Sequence, residues 1–226
     1  TAGAGSALYT ARNFPREYWN RAQFVTEPTG HLIAKFDLQP KGADFVAYNQ
    51  HNFAASDDEW AAPIAAEVGP DGALWVIDWY NYIIQHNPVP NGFQNGRGNA
   101  YDTPLRDKTH GRLYRIAWKQ ARPVPKIDLW RATPQQLLAT LKNDNLLWRL
   151  HAQRLLVQRG NKDVVPALTE LVKDQGLDAL GLSPGPIHAL WTLKGLGVLE
   201  TVPVAASAGS AADQRAHEEV VAALKH

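Results

Sequence analysis

Two hydrophobic rhythms divide the chain. In the first half, short β-branched or aromatic runs alternate with turn residues: Ala7-Leu-Tyr9, Gln23-Phe-Val-Thr26, Leu32-Ile-Ala-Lys-Phe-Asp-Leu38, Asp44-Phe-Val-Ala-Tyr48, Ile64-Ala-Ala-Glu-Val68, Ala73-Leu-Trp-Val-Ile77 and Arg112-Leu-Tyr-Arg-Ile-Ala-Trp118. Such runs predict consecutive strands. Two reversals are written out, Gln39-Pro-Lys-Gly42 and Gly69-Pro-Asp-Gly72, each with Pro ahead of Gly as a tight turn favours. Residues 1–119 therefore read as an antiparallel meander. Residues 120–132 read as a linker, because the prolines in Gln120-Ala-Arg-Pro-Val-Pro-Lys126 disfavour helix.

From residue 133 to 226 the period lengthens to about 3.6. Thr133 ahead of Pro134 predicts an N-cap and first helical position, opening Leu137-Leu138-Leu141. Asp144 or Asn145 caps a second helix whose apolar face is drawn from Leu147, Leu150, Ala152, Leu155 and Leu156, and Arg159-Gly160 ends it. Further helices are predicted near Val164 to Lys173, Pro186 to Leu199 and Ala212 to Lys225, with the small-residue stretch Val202 to Ser210 as a mobile loop. Short amphipathic helices in succession predict a solenoid of stacked pairs.

The strands group into a first set of four and a second set, Ile64 to Trp118, whose fourth member is not evident. Four-stranded antiparallel sets repeating every 40 to 50 residues or so are the pattern of propeller blades, and a propeller closes with about four to eight of them. The fold class expected is thus β plus α and multidomain: blades of an antiparallel β-propeller followed by an α-helical solenoid. Two blades do not close a ring, and about two helix pairs make a short solenoid. With Thr1 at its start and no methionine in 226 residues, the chain reads as an internal piece of a longer protein.

Composition narrows the function classes. Lys+Arg 23 against Asp+Glu 22, with no basic run, leaves no electrostatic footprint for nucleic acid. The longest apolar stretches fall far short of the roughly 20 residues needed to span a bilayer. The absence of cysteine excludes disulfides, thiolate metal sites, a cysteine nucleophile and C-x-x-C-H haem attachment within these residues.

Alternation also sorts the loops. In an antiparallel blade the first and third turns leave one edge while the second turn and the interblade connection leave the other. The two Pro/Gly turns then share a plain edge. The opposite edge collects Glu27 to His31, the loop His51 to Trp60, and the long connection Asp78 to Thr109. Asp78, Tyr80 and Asn81 at one end of that connection, and His110 and Arg112 at the other, are expected at one pocket rim. There His can act as base or ligand and Arg can grip a carboxylate or quinone oxygen. The structural alternative is that Asp78 caps the loop through backbone amides while His110 and Arg112 anchor the insertion. Glu27 and His31 carry the same pair of readings. Trp60, Trp75, Trp79 and Trp118 read as blade-packing core, with Trp60 and Trp79 alternatively a wall for a flat ligand, and Trp75 is expected in the core on the sheet face opposite Leu74 and Val76. Asp57 and Asp58 could offer oxygens to calcium, or form a solvated acidic loop. Asn91-Gly-Phe-Gln-Asn-Gly-Arg-Gly98 lacks the strand-before, helix-after context of a phosphate loop and reads as a flexible loop. In the helical half, Arg149, His151, Arg154, His188 and Trp191 suggest no catalytic constellation, and the module reads as scaffold and partner surface.

At Glu27-Pro-Thr-Gly-His-Leu32, Pro70-Asp-Gly-Ala-Leu-Trp-Val-Ile-Asp-Trp-Tyr-Asn81 and His110-Gly-Arg-Leu-Tyr-Arg-Ile116 the chain resembles the propellers related to soluble glucose and sorbosone dehydrogenases. These occur in the planctomycete- and verrucomicrobium-type "membrane-bound dehydrogenase", or haem-binding, proteins. Phe14-Pro-Arg-Glu-Tyr18 followed by Phe24-Val-Thr-Glu-Pro28 resembles the penultimate blade of that family, so the resemblance implies the last two blades. Trp148-Arg-Leu-His-Ala-Gln-Arg-Leu-Leu156 and His188-Ala-Leu-Trp-Thr-Leu193 resemble the HEAT-like repeats that follow them. It further implies a sugar or alcohol dehydrogenase-like oxidoreductase, exported to the periplasm or cell surface. The complete protein would use pyrroloquinoline quinone, calcium and c-type haem, with further blades and a cytochrome c domain as partners of this segment. The other function open at this stage is a catalytically silent platform for carbohydrate or protein.

Overall fold

The computed structural model describes residues 3–84, 91–94, 96, 103–199 and 211–223. The chain divides into two compact units, Thr1–Val124 and Pro125–His226, so the boundary falls inside the predicted linker. The predicted loop Val202 to Ser210 and, within the Asn91 to Gly98 stretch, Asn95, Arg97 and Gly98 lie outside the described residues. No described helix is long and apolar enough to cross a membrane.

The first unit holds two antiparallel sheets. Strands β1 (Gly5–Leu8), β2 (Ala22–Glu27), β3 (Leu32–Lys41) and β4 (Asp44–Ala55) form one sheet in chain order, and β5 (Pro63–Val68), β6 (Leu74–Asp78) and β7 (Arg112–Ile116) form the other. Among the described residues β7 pairs on one side only, with β6. The burial alternation of β2, with Ala22, Phe24 and Thr26 inside, is what its sequence demands of a strand with one covered face. The core is aromatic: Phe14 stacks on Tyr9 at 4.6 Å, and Phe24 lies 4.6 Å from Phe53. Tyr9 is fully buried, and its hydroxyl donates to the Gly72 carbonyl at 2.7 Å while accepting from the amides of Asn13 and Phe14. It ties the four-stranded sheet to the turn of the other, and burial pushes its phenol up to about 12.

Two sequence expectations shift here. The hairpin reverses at Gly42 and Ala43, with Gly42 at φ +64°, while Pro40 lies in β3 opposite Phe45. Pro40 is tolerated because β3 extends past its β2 pairing, which stops at Asp37, so the missing N–H interrupts no ladder on that side. And β4 continues to Ala55, so the connection starts at Ser56 rather than His51; its largely polar run, exposed from Tyr48 to Asn52, hid the strand.

The Gly69–Gly72 turn forms as expected, with Gly69 N–H donating to Ala73 at 2.9 Å and Gly72 at φ +72°. Trp75 lies, as expected, on the opposite face from the buried Leu74 and Val76, but it is only partly buried rather than core: its indole crosses Gly69 and donates to Asp71 at 3.1 Å. A methyl on Gly69 would fall 2.2 Å from the indole. Gly69→Ala should therefore lower the unfolding free energy by about 1–3 kcal/mol, read from the urea midpoint, whereas Gly42→Ala meets no neighbour and costs only its turn strain.

The second unit contains α1 (Pro134–Thr140), α2 (Leu146–Arg159), α3 (Val165–Val172), α4 (Pro184–Gly195) and α5 (Ala211–Ala223). Thr133 and Gln136 form a reciprocal capping box, Asn145 caps α2, and Gly160 ends it at φ +63°. The third predicted helix opens with a 3-10 turn, Lys162–Val164. The core gathers Leu137, Leu141, Leu156, Leu168 and Leu193. The face of α2 differs from expectation: Arg149, Ala152 and Leu156 are buried while Leu150 is half exposed. Positions 149, 152 and 156 form one stripe at spacings of three and four, and Leu150 sits about 100° away from it. Arg149 tolerates burial because its Nε donates to His188 Nε2 at 3.1 Å and its Nη1 to the Asn143 carbonyl at 2.5 Å.

Candidate functional site

At one rim of each sheet the register stacks chain ends: Glu27, Leu32 and Ala55 in the first, Pro63, Asp78 and Arg112 in the second. The connections leaving these rims meet. His31 carries a positive φ of 56° and places Nδ1 2.6 Å from the Ala61 carbonyl, while its own carbonyl accepts from Ser56 at 3.0 Å. An Nδ1 facing a carbonyl is a donor, which leaves Nε2 as the lone-pair nitrogen of the neutral ring.

Asp78 is 1% exposed and organises the rim. Its Oδ1 accepts from Ala62 N–H at 2.7 Å and Tyr80 N–H at 2.9 Å, and its Oδ2 from Arg112 Nε at 2.7 Å. Arg112 Nη1 donates to Asp58 Oδ2 at 2.7 Å. That hydrogen bond, with one from the Trp60 amide, holds the Asp58 carboxyl below its ordinary range, while the two carboxylates outweigh desolvation and raise Arg112. The guanidinium lies 4.5 Å over Tyr80, whose φ of 56° is set by the Asp78 bond to its amide. Tyr80 stacks on Trp60 at 5.4 Å, Tyr82 leans on Trp60 at 5.8 Å, and His110 meets Tyr80 edge-on at 5.9 Å.

All five residues expected at the ends of the long connection thus come together. Asn81 is buried, and its amide reaches the Asp107 carbonyl at 3.4 Å. Two polar atoms here, Asn81 Oδ1 and Arg112 Nη2, are buried with no hydrogen-bond partner among the described residues. Glu27 does not join the cluster, because its carboxylate closes its own turn on the amides of Thr29 and Gly30. Trp79 is partly exposed and bonded through its amide to Ala62. Beside the cluster a cavity of about 380 Å³ is walled by Ile33, Ala54 and Val76, with His31, Ser56, Asp78, Tyr114 and Arg115 as its polar points.

A family profile described as a domain of unknown function (DUF7133) matches residues 1–120. The chain belongs to the DUF7133 family. Comparison with curated proteins and with solved structures returns no match. The profile covers nearly all of the first unit, so both sheets and the whole rim belong to the DUF7133 domain.

Several residues of the DUF7133 rim escaped sequence reasoning. Asp107 Oδ1 accepts from the amides of Thr109 and His110, each at 2.7 Å, and its Oδ2 holds His110 Nδ1 at 2.7 Å. The His110 bond and those amides hold the carboxyl far below the usual range. The available signal was the local pattern Asp-x-Thr-His, an Asx turn. Tyr82 and Tyr114 carried no such signal, since only the fold brings them to the rim. The described residues do not fit the groups implied by the sugar-dehydrogenase resemblance. Asp58 spends its carboxylate on Arg112 and Trp60, and no three described His, Asp or Glu side chains gather as a metal site. Arg112 has given Nε and Nη1 to two carboxylates, so this trio carries a net negative charge, which is unsuited to clamping an anionic quinone.

Proposed function

We propose that the DUF7133 domain forms blades of a larger β-propeller, followed by HEAT-like helical repeats, and that its loop-bearing rim is a carbohydrate-binding platform. One observation carries this reading: Asp78, Arg112 and Asp58 are bonded to one another and Asp107 to His110, holding the rim together, while Trp60, Tyr80 and Tyr82 remain as a linked aromatic surface beside a largely apolar-walled cavity. Aromatic faces match the apolar faces of sugar rings, and isolated acceptors such as His31 Nε2 orient their hydroxyls. A second reading, the hydroxyl-oxidising activity implied by the resemblance, is favoured by His31 alone. Its Nδ1 bond to the Ala61 carbonyl leaves Nε2 as the ring nitrogen free to act at the cavity wall, and the quinone clamp would come from other segments of a longer chain.

Affinity electrophoresis of the full chain in gels containing neutral polysaccharides tests the platform. Retardation by at least one polysaccharide is expected, falling about tenfold in affinity for Trp60→Ala and Tyr82→Ala with the unfolding midpoint of Tyr82→Ala unchanged. Unretarded migration in every gel, or retardation indifferent to both substitutions, overturns it.

A further inference from the structure

The opposite rim of the DUF7133 domain carries a second cavity, of about 420 Å³, between the Gly69–Gly72 turn and the segment 117–124. Its ionic groups are arranged differently from those at the loop-bearing rim. Asp71 is saturated: Oδ1 accepts from the Ala73 amide and the Trp75 indole, each at 3.1 Å, and Oδ2 from Arg115 Nε. Burial alone would raise its carboxyl, but the Arg115 and Trp75 hydrogen bonds prevail and lower it. Arg115 is left with both Nη groups unpartnered among the described residues, on a half-exposed side chain. Arg122, at the same cavity, is exposed and its guanidinium has no partner among the described residues. Two guanidiniums against one carboxylate give a net positive cavity with four terminal nitrogens' worth of fork-shaped donors to spare.

The site is held in place before any ligand arrives. Asn13 Nδ2 donates to the Asp71 carbonyl at 2.8 Å and the Arg122 carbonyl at 3.4 Å, fastening the 117–124 segment to the turn. Trp118, 39% exposed, and Pro123 supply flat apolar wall. Its volume falls in the usual range for small-molecule sites, which run about 300–1,000 Å³.

We propose that this cavity binds a small aromatic anion, its charged group held by the Arg115 and Arg122 guanidiniums and its ring against Trp118. The site shares Arg115 with the cavity beside the loop-bearing rim but includes none of Trp60, Tyr80 and Tyr82, and it does not rest on the carbohydrate reading. The test titrates the full chain with 1-naphthoate and, in parallel, with the neutral 1-naphthalenemethanol, by calorimetry at low salt. Saturable one-site binding of naphthoate is expected, about tenfold tighter than the alcohol. It should weaken about tenfold for Arg122→Gln or Trp118→Ala, remain unchanged for Trp60→Ala, and weaken as salt screens the pair. Arg122 is exposed, so its replacement leaves the fold intact. Equal affinity for acid and alcohol, no naphthoate binding at millimolar concentration, or wild-type binding by both cavity variants overturns the proposal. Loss of naphthoate binding in Trp60→Ala also overturns it, by placing the ligand at the loop-bearing rim.

Discussion

Asp78→Ala should destabilise the DUF7133 domain by about 3–5 kcal/mol, most of a small domain's margin. The carboxylate is 1% exposed and receives two backbone amides and one guanidinium. Removing it strands the Ala62 and Tyr80 amides and leaves Arg112 partly buried against a single carboxylate, and each orphaned group costs its full desolvation. Asp78→Asn keeps an acceptor for the amides but turns an NH2 toward Arg112, so it should fall between wild type and Ala. Asp58→Ala should cost much less, because that carboxylate is 40% exposed and Arg112 keeps its Asp78 partner. Urea unfolding followed by tryptophan fluorescence gives the ranking. A loss for Asp58→Ala equal to that for Asp78→Ala would show that Asp78 is not the organising group. Because the Asp78 bond sets the backbone of Tyr80, the Ala variant should also lose polysaccharide retardation even where it remains folded.

The helical unit should weaken as pH falls from about 6.5 to 4, by an amount on the order of 3 kcal/mol. His188 is 6% exposed, with Nε2 accepting from Arg149 and Nδ1 facing Gln153 Oε1 at 2.8 Å, an arrangement only the neutral ring can make. Burial first, and the Arg149 charge second, push its pKa down to about 4. The unfolded chain takes up a proton near its ordinary value while the folded ring refuses it. The stabilisation is therefore complete above pH 6.5 and is lost as pH drops toward 4. Urea melts read by far-ultraviolet circular dichroism report on the helices, and Arg149→Met, which removes the neighbouring cation, should narrow the pH window from its acid end. A helical midpoint flat between pH 7 and 4.5 would refute this account of the Arg149–His188 pair.

Where a residue's partner lies close in sequence, the structure matched the predicted caps and one of the two predicted turns, while the other reverses at Gly42 and Ala43 with Gln39 to Lys41 in β3. Thr133 caps with Gln136, Asn145 caps α2, Gly160 closes it and Gly69 to Gly72 turn as written. Strand positions followed alternation until β4, where polar residues on an exposed strand left no pattern to read. The mixed β and α class with antiparallel sheets was legible for the same reason. Distant pairings were not. Tyr9 meets Gly72 across 63 positions, and Arg149 meets His188 across 39, so neither the buried phenol nor the buried arginine showed as such in local periodicity. At the candidate site the grouping of Asp78, Tyr80, Asn81, His110 and Arg112 followed from antiparallel geometry alone. What each side chain does there depended on Asp58 and Asp107, which reach the cluster from two separate loops.

Among the described residues β7 pairs only with β6, and that edge bears on how this protein behaves at high concentration. An open strand edge is a template for another extended chain, and self-association through such edges is the usual start of aggregation. The sequence Arg-Leu-Tyr-Arg-Ile puts a guanidinium on each face of the strand, Arg112 opposite Asp78 on one and Arg115 opposite Trp75 on the other. A second molecule laid along β7 would have to desolvate both, with their carboxylates already engaged within the fold. The arginines that clamp the two rims thereby double as gatekeepers of solubility, and replacing them by apolar residues would trade a charged edge for a sticky one.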